Sequence, residues 1–197
     1  LEKNHRLGEK LRITGGGRCN ITNAEFDTRT LLAHYGPAQS FLFSAFAQFN
    51  VQSTLDFFAK LGLSTKVEER QRVFPITDSA ESVAETLIAY LKQNKVTVRT
   101  NSAVASLNVE NSTVTSVTLT NNETLIASYF IIATGGLSRP ETGSTGDGFT
   151  WLKNLGHTIV APDPSLVPIT LRDDWVPALA GVTLPEVKIR VMQNEQK

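Results

Sequence analysis

The sequence predicts an α/β fold: a helical segment, then a β-meander, then the start of a second, β-rich unit. Three observations point there. Apolar residues recur at three- and four-residue spacing between Leu31 and Leu61 and again between Ala80 and Asn94, the period of an amphipathic helix. From Val96 onward short runs alternate apolar and polar side chains, the period of a strand. Finally, the apolar run Tyr129 to Ala133 enters Thr134-Gly135-Gly136, and α/β folds bind ligands outside the carboxyl ends of such strands.

The elements follow in order. Leu1-Glu2-Lys3-Asn4 reads as the end of a strand. An acid there suits a dinucleotide-binding fold, where it accepts hydrogen bonds from a ribose hydroxyl. The run Arg12-Ile13-Thr14-Gly15-Gly16-Gly17-Arg18-Cys19-Asn20-Ile21-Thr22-Asn23 organises the chain. Consecutive glycines lose much conformational entropy on ordering, and what they offer in return is close backbone approach or positive φ. Followed by Arg18, they place bare N–H groups beside a cation, which suits a phosphate or an electron-rich ring edge. The Gly-Lys-Ser/Thr ending of a P-loop is absent from this run, so a nucleotide hydrolase is disfavoured.

Phe41, Ala45, Phe46 and Phe49 are expected to give one helix an apolar, core-facing side. Asn50 is expected to cap the next helix, with Leu55, Phe58, Ala59 and Leu61 inward and Gly62 just past its end. Lys66 to Ile76 reads as extended. Asp78 and Glu81 have capping-box spacing, and the helix from Ala80 to Asn94 turns Val83, Leu87, Ile88 and Leu91 inward. Strands are expected at Val96–Thr100, Val104–Val109, Val114–Leu119 and Leu125–Ala133, with a turn at Asn121-Asn122. Gly143 and Gly146-Asp147-Gly148 precede a helix from Phe149 to Leu155 that Gly156 stops, leaving its N-terminus open. Pro162, Pro164 and Pro168 mark a junction. Ile169-Thr170-Leu171, Val182-Thr183-Leu184 and Val187–Val191 beyond it read as strands.

Composition narrows the function. The 197 residues carry zero net charge and show no basic stripe, which argues against a nucleic-acid partner. No apolar run approaches the roughly 20 residues that cross a bilayer, and a cytoplasmic protein is expected. Cys19 is the single cysteine, which excludes an internal disulfide, and His5, His34 and His157 are far apart, so no metal site is expected. A redox role for Cys19 is disfavoured for want of a resolving cysteine, and His157 reads as a helix C-terminal partner. No residue stands out as a catalytic acid or base.

Four stretches together resemble a known family. They are Leu1-Glu2-Lys3-Asn4 with Gly8 and Lys10, then Gly15 through Asn23, then Arg72-Val73-Phe74-Pro75 with Asp78 and Ala80. The fourth runs from Ala133-Thr134-Gly135-Gly136 through Gly143-Ser144-Thr145-Gly146-Asp147-Gly148, with Gly156-His157 and Pro164 to Pro168. In these the chain resembles the BaiN-like NAD(P)/FAD-dependent oxidoreductases, the group that includes aminoacetone oxidase. The resemblance implies a partial Rossmann-like FAD-binding domain over residues 1–161, and over 162–197 a junction and the first strands of a β-rich inserted domain.

It also implies site residues. Glu2 would hold the adenosine ribose of FAD, and Val104 would meet the adenine through its backbone. Lys10 and the loop Gly15, Gly16, Gly17, Arg18, Cys19 and Asn20 would follow the pyrophosphate, ribityl chain and ring, with Arg18 set against negative charge on the reduced ring. Ala133, Thr134, Gly135 and Gly136 would pass close to the cofactor, and Gly146, Asp147 and Gly148 would sit on the flavin side. The implied reaction is hydride transfer between a small organic substrate or NAD(P)H and FAD; the alternative is an FAD-binding module with a structural or regulatory role and no turnover. Members begin with a Gly-x-Gly-x-x-Gly turn, which this sequence lacks, and end with a return to the FAD domain. The expectation is an internal piece of a protein about twice as long, which alone binds FAD weakly or not at all. Oligomeric state is not legible.

Overall fold

The computed structural model describes residues 1–164, 170–182 and 188. The chain divides into two units, Leu1–Ala161 and Pro162–Lys197. In the second, the described residues form one short 3-10 turn, Val176–Leu179. Thr170 and Leu171 are not in a strand. Ile169, Thr183, Leu184 and the span 187–191 apart from Lys188 lie outside the described residues, so the strands expected there are not assessed.

The first unit begins with an extended segment, Leu1–Asn4, bonded beside residues 99–102: Glu2 donates its N–H to the Arg99 carbonyl, and Asn101 and Ser102 donate to those of Asn4 and Glu2. A short helix α1 (Glu9–Arg12) follows, then a 3-10 turn at Thr14–Gly17. Strand β1 (Thr22–Asn23) joins the hairpin β2 (Thr65–Glu68) and β3 (Arg72–Pro75) in an antiparallel sheet of order β1-β3-β2. Between β1 and β2 run α2 (Thr28–Ala33), α3 (Gln39–Gln48) and α4 (Val51–Lys60). Helix α5 (Ala80–Gln93) leads to a second antiparallel sheet, β4 (Val104–Glu110), β5 (Thr113–Leu119) and β6 (Thr124–Ile126). Helix α6 (Asp147–Asn154) closes the unit.

Local signals explain these boundaries. The Asn50 side chain accepts the Ser53 N–H and starts α4. Gly62 at φ +81 ends it, and Leu63, whose N–H returns to the Phe58 carbonyl, packs in the core with Phe58. Helix α6 ends alike: Gly156 (φ +91) donates to Lys153 and His157 to Leu152, the left-handed close expected at a glycine. One core cluster joins Cys19, Phe58, Leu63, Ala80 and Val83, bringing the glycine loop, α4 and α5 together.

Several expectations are corrected. Phe41 and Phe49 are 83% and 53% exposed, and α3 has no buried residue: of the stripe that periodicity would bury, Phe46 is half-covered by Tyr35 and Phe49 only edges Phe57. Ala59 is likewise exposed, although Phe58 beside it is buried. Asp78 does not box α5, because Lys66 and Arg18 draw its carboxylate away; Ser79 holds the cap position without a side-chain bond. Val96–Thr100 and Tyr129–Ala133 are in no strand, and β6 stops at Ile126. Tyr129 and Ile131 are 91% and 94% exposed, and no described strand pairs with them to supply a ladder.

Candidate functional site

A cavity of about 1180 Å³ opens between Leu1–Asn4, α1, the second sheet and the segment leading into α6. Its lining includes Glu2, Lys10, Val104, Ala133, Thr134, Gly135 and Asp147, so seven of the residues marked from sequence converge here from remote parts of the chain. Gly15, Gly16, Gly17, Arg18, Cys19, Asn20, Gly136, Gly146 and Gly148 are not in the lining. Lys3, Thr14, Arg99, Ser102 and Trp151 line it unpredicted; Thr14 and Trp151 adjoin the glycine runs and were within reach of that signal, whereas Arg99 and Ser102 carry none.

The glycine run folds back on itself. Gly15 and Gly16 adopt φ +56 and +67, Gly17 +84 and Cys19 +61. The N–H groups of Arg18 and Cys19 both point to the Thr14 carbonyl, so these donors are spent within the loop. At Gly15 a Cβ would stand 2.7 Å from the Asn20 nitrogen and 3.0 Å from the Phe74 ring, which requires glycine. At Gly16 and Gly17 a Cβ would meet nothing within 4 Å; here the bare backbone faces open space.

Arg18 is engaged elsewhere. Its guanidinium bonds the Glu68 and Asp78 carboxylates and stacks 4.1 Å from the centroid of the Phe74 ring. Lys66 adds a bond to Asp78 at 2.5 Å. These contacts raise the Arg18 pKa, Glu68 first and Asp78 next; they lower Glu68, chiefly through Arg18, and Asp78, chiefly through Lys66. Arg18 thus fastens the glycine loop to the β2–β3 hairpin, with its charge already matched. Cys19 is 6% exposed and burial raises its thiol pKa, against a smaller opposing bond with Thr14. Cys19 packs in the core cluster with Phe58, Leu63, Ala80 and Val83.

The entrance to α6 is fastened to the first segment. Lys3 Nζ donates to Thr145 Oγ1 at 2.5 Å and to Asp147 Oδ2 at 2.7 Å, and Asn4 Nδ2 donates to the Thr142 carbonyl at 3.0 Å. The bond from Lys3 holds the Asp147 carboxyl below the usual carboxylate range, against a partial desolvation that raises it. Gly146 precedes α6 at φ +79 with no side-chain cap, as the sequence implied. A Cβ on Gly148 would lie 2.5 Å from Thr134 Oγ1 and 3.1 Å from Ile132 Cγ2, so this glycine lets α6 lie directly on the segment that walls the cavity. Gly135 (φ +75) faces Ser144 Oγ, 3.2 Å from an added Cβ.

The residues fit a flavin dinucleotide. The cavity exceeds the roughly 300–1,000 Å³ of ordinary small-molecule pockets, which leaves room for a ligand of that size. Its lining offers a carboxylate at Glu2 for a ribose and, at Lys10, a cation that forms no ion pair among the described residues, for a phosphate. Among the described residues no His/Cys/Asp/Glu group could hold a metal. Nor is any helix of the described residues long and apolar enough to cross a membrane.

An acid at Glu2, the segment reaching Thr134-Gly135 and the start of α6 meet on this one cavity. A family model described as the HI0933-like protein Rossmann domain matches residues 1–197. The chain belongs to that family, one of flavoprotein oxidoreductases. It is 33% identical over 196 residues to the 3-dehydro-bile acid delta(4,6)-reductase of Clostridium scindens, covering 100% of this chain and 46% of that protein. It is 30% identical over 191 residues to the ribosomal RNA dihydrouridine synthase of Escherichia coli, covering 95% of this chain and 46% of that protein. The synthase of the same name from Haemophilus influenzae is 30% identical over 190 residues, covering 94% and 46%. The chain spans about half the length of the curated relatives it matches.

Proposed function

We infer that this chain supplies the dinucleotide-holding half of an FAD-dependent oxidoreductase that passes hydride between an organic substrate or NAD(P)H and FAD. The observation that carries the reading is the convergence of Glu2, Lys10, Val104, Ala133–Gly135 and Asp147 on one cavity of about 1180 Å³. In this reading Glu2 accepts ribose hydroxyls, Lys10 faces phosphate, and the Ala133–Gly135 segment runs close along the cofactor. Thr134 and Asp147 border the reactive end, with Lys3 holding Asp147 in place. Bound FAD supplies the hydride chemistry. The protein positions the ring and excludes water.

The relatives' names narrow the substrate class. One is named as a delta(4,6)-reductase of a 3-dehydro-bile acid, the other as a dihydrouridine synthase of ribosomal RNA. Both names point to the saturation of a carbon–carbon double bond. We assign the same class of substrate to the whole protein and favour a small organic molecule, since these 197 residues carry no basic stripe.

The test compares the 197-residue chain with a form extended to the relatives' length. Absorbance near about 450 nm, where bound oxidised flavin absorbs, is expected in the extended form. Bleaching by NADH or NADPH and recovery on adding a conjugated enone supports the reductase. Flavin inert to every donor supports a binding module without turnover, and flavin absent from both forms removes the FAD reading.

A further inference from the structure

We infer that the Ser144 hydroxyl bonds an uncharged oxygen in the riboflavin half of bound FAD, an assignment that rests on the FAD reading of this cavity. Three serines are buried among the described residues, Ser102, Ser116 and Ser144. The first two find partners within the protein: Ser102 Oγ donates to the Thr100 carbonyl, and Ser116 Oγ accepts from Asn108 Nδ2. Ser144 is 7% exposed, yet its Oγ bonds no group among the described residues. Nor is this oxygen sealed inside the protein; it opens on the cavity that Ser144 lines. A Cβ on Gly135 would stand 3.2 Å from it, so the hydroxyl lies beside another residue of the same lining. A buried hydroxyl without a partner costs free energy that an alanine in its place would avoid. A ligand that supplies the partner removes that cost.

The loop that carries Ser144 is held on both sides. Asn4 Nδ2 donates to the Thr142 carbonyl, and Lys3 Nζ donates to Thr145 Oγ1. A Cβ on Gly143 would stand 2.8 Å from Asn4 Nδ2, so glycine lets the loop lie this close to the first segment. The hydroxyl is therefore placed before a ligand arrives, as a precise polar contact requires. Charge selects the kind of partner. Lys3, which bonds the neighbouring Thr145, is already matched by Asp147 at 2.7 Å. A phosphate beside Ser144 would lack a free cation and finds one at Lys10, while Glu2 serves the adenosine ribose. The uncharged oxygens of the dinucleotide that remain are the ribityl hydroxyls and the ring carbonyls. A serine hydroxyl, both donor and acceptor, can bond either.

Isothermal titration of FAD into the flavin-free form extended to the relatives' length, as parent and as Ser144→Ala, tests this. Ser144→Ala should weaken FAD roughly two- to tenfold, the factor for one neutral hydrogen bond. It should leave the affinity for ADP, which lacks the riboflavin half, unchanged. The melting midpoint without ligand should not fall, since the hydroxyl bonds nothing in the protein. Lumiflavin, which keeps the ring without the ribityl chain, separates the two sources: a matching loss assigns the bond to a ring carbonyl, an unchanged affinity to the ribityl chain. Equal FAD affinity in the two proteins overturns the proposal and leaves the hydroxyl to water. An equal loss for ADP also overturns it, by placing the bond in the other half of the dinucleotide. So does a lowered midpoint without ligand, which marks a structural serine. A parent that binds no FAD refutes the FAD reading itself, and this assignment with it.

Discussion

Replacing Gly148 by alanine sets two opposed effects against each other. Gly148 is the second residue of α6, and its φ is not in the left-handed region. Alanine in a helix gains up to about 1 kcal/mol over glycine, and less in the first turn. Against this, the new Cβ would stand 2.5 Å from Thr134 Oγ1 and 3.1 Å from Ile132 Cγ2. Thr134 is β-branched and stiff at χ1, so turning its hydroxyl away costs a change of rotamer. Relief requires moving α6 off the cavity wall, and overpacking of this kind costs about 1–3 kcal/mol. The contact wins: Gly148→Ala should be destabilised by roughly 1–2 kcal/mol. Thr134→Ala removes the nearest atom and leaves the tight 3.1 Å contact with Ile132 Cγ2 and an ordinary 3.8 Å contact with the Cβ of residue 134. The double variant should therefore recover at least about half the loss, a coupling beyond additive expectation. Urea unfolding followed by far-UV circular dichroism measures all four proteins. A Gly148→Ala protein as stable as the parent, or strictly additive single changes, would refute the packing argument.

Three further outcomes follow from other contacts. Gln71 sits at φ +56 in the β2–β3 turn with its side chain exposed. Left-handed strain of about 1–2 kcal/mol outweighs glycine's extra unfolded-state entropy of about 0.5–1 kcal/mol, so Gln71→Gly should raise the urea midpoint. Glu68 and Asp78 have pKa values depressed by Arg18 and Lys66. Their contribution is present above the ordinary carboxylate range and is lost as pH falls through the depressed folded values, below about pH 4. A Glu68→Gln/Asp78→Asn protein should show a flatter fall in melting midpoint over that acid range; an unchanged slope would count against the network. Lys3→Met removes the main cause of the depressed Asp147 pKa, so a carboxyl-carbon NMR titration should show Asp147 titrating higher than in the parent.

Much of the fold was written locally. Asn50, Gly62 and Gly156 start or stop helices through bonds within a few residues of themselves, so their chemistry is readable without the rest of the chain. The β4–β5–β6 meander was legible for the same reason, since its partners are adjacent in sequence. Val96–Thr100 and Tyr129–Ala133 were misread because alternation gives the propensity for a strand, whereas a ladder needs a neighbour. Asp78 was misread because a three-residue spacing to Glu81 says nothing of Lys66 and Arg18, which arrive from elsewhere in the chain.

The candidate site divides in the same way. The sequence by itself determined which residue types were on offer: glycines able to adopt positive φ at 15–17, 135 and 146, an acid at Glu2, and a thiol without a partner at Cys19. Those are properties of single residues and short spans. Tertiary structure alone decided which of them share a cavity. It set Lys10, Val104 and Thr134 on one lining and turned the Arg18 guanidinium away to Glu68 and Asp78. It also left Phe41 and Phe43 of α3 exposed. Convergence, charge pairing and burial depend on distances between remote parts of the chain, and no local pattern encodes those distances.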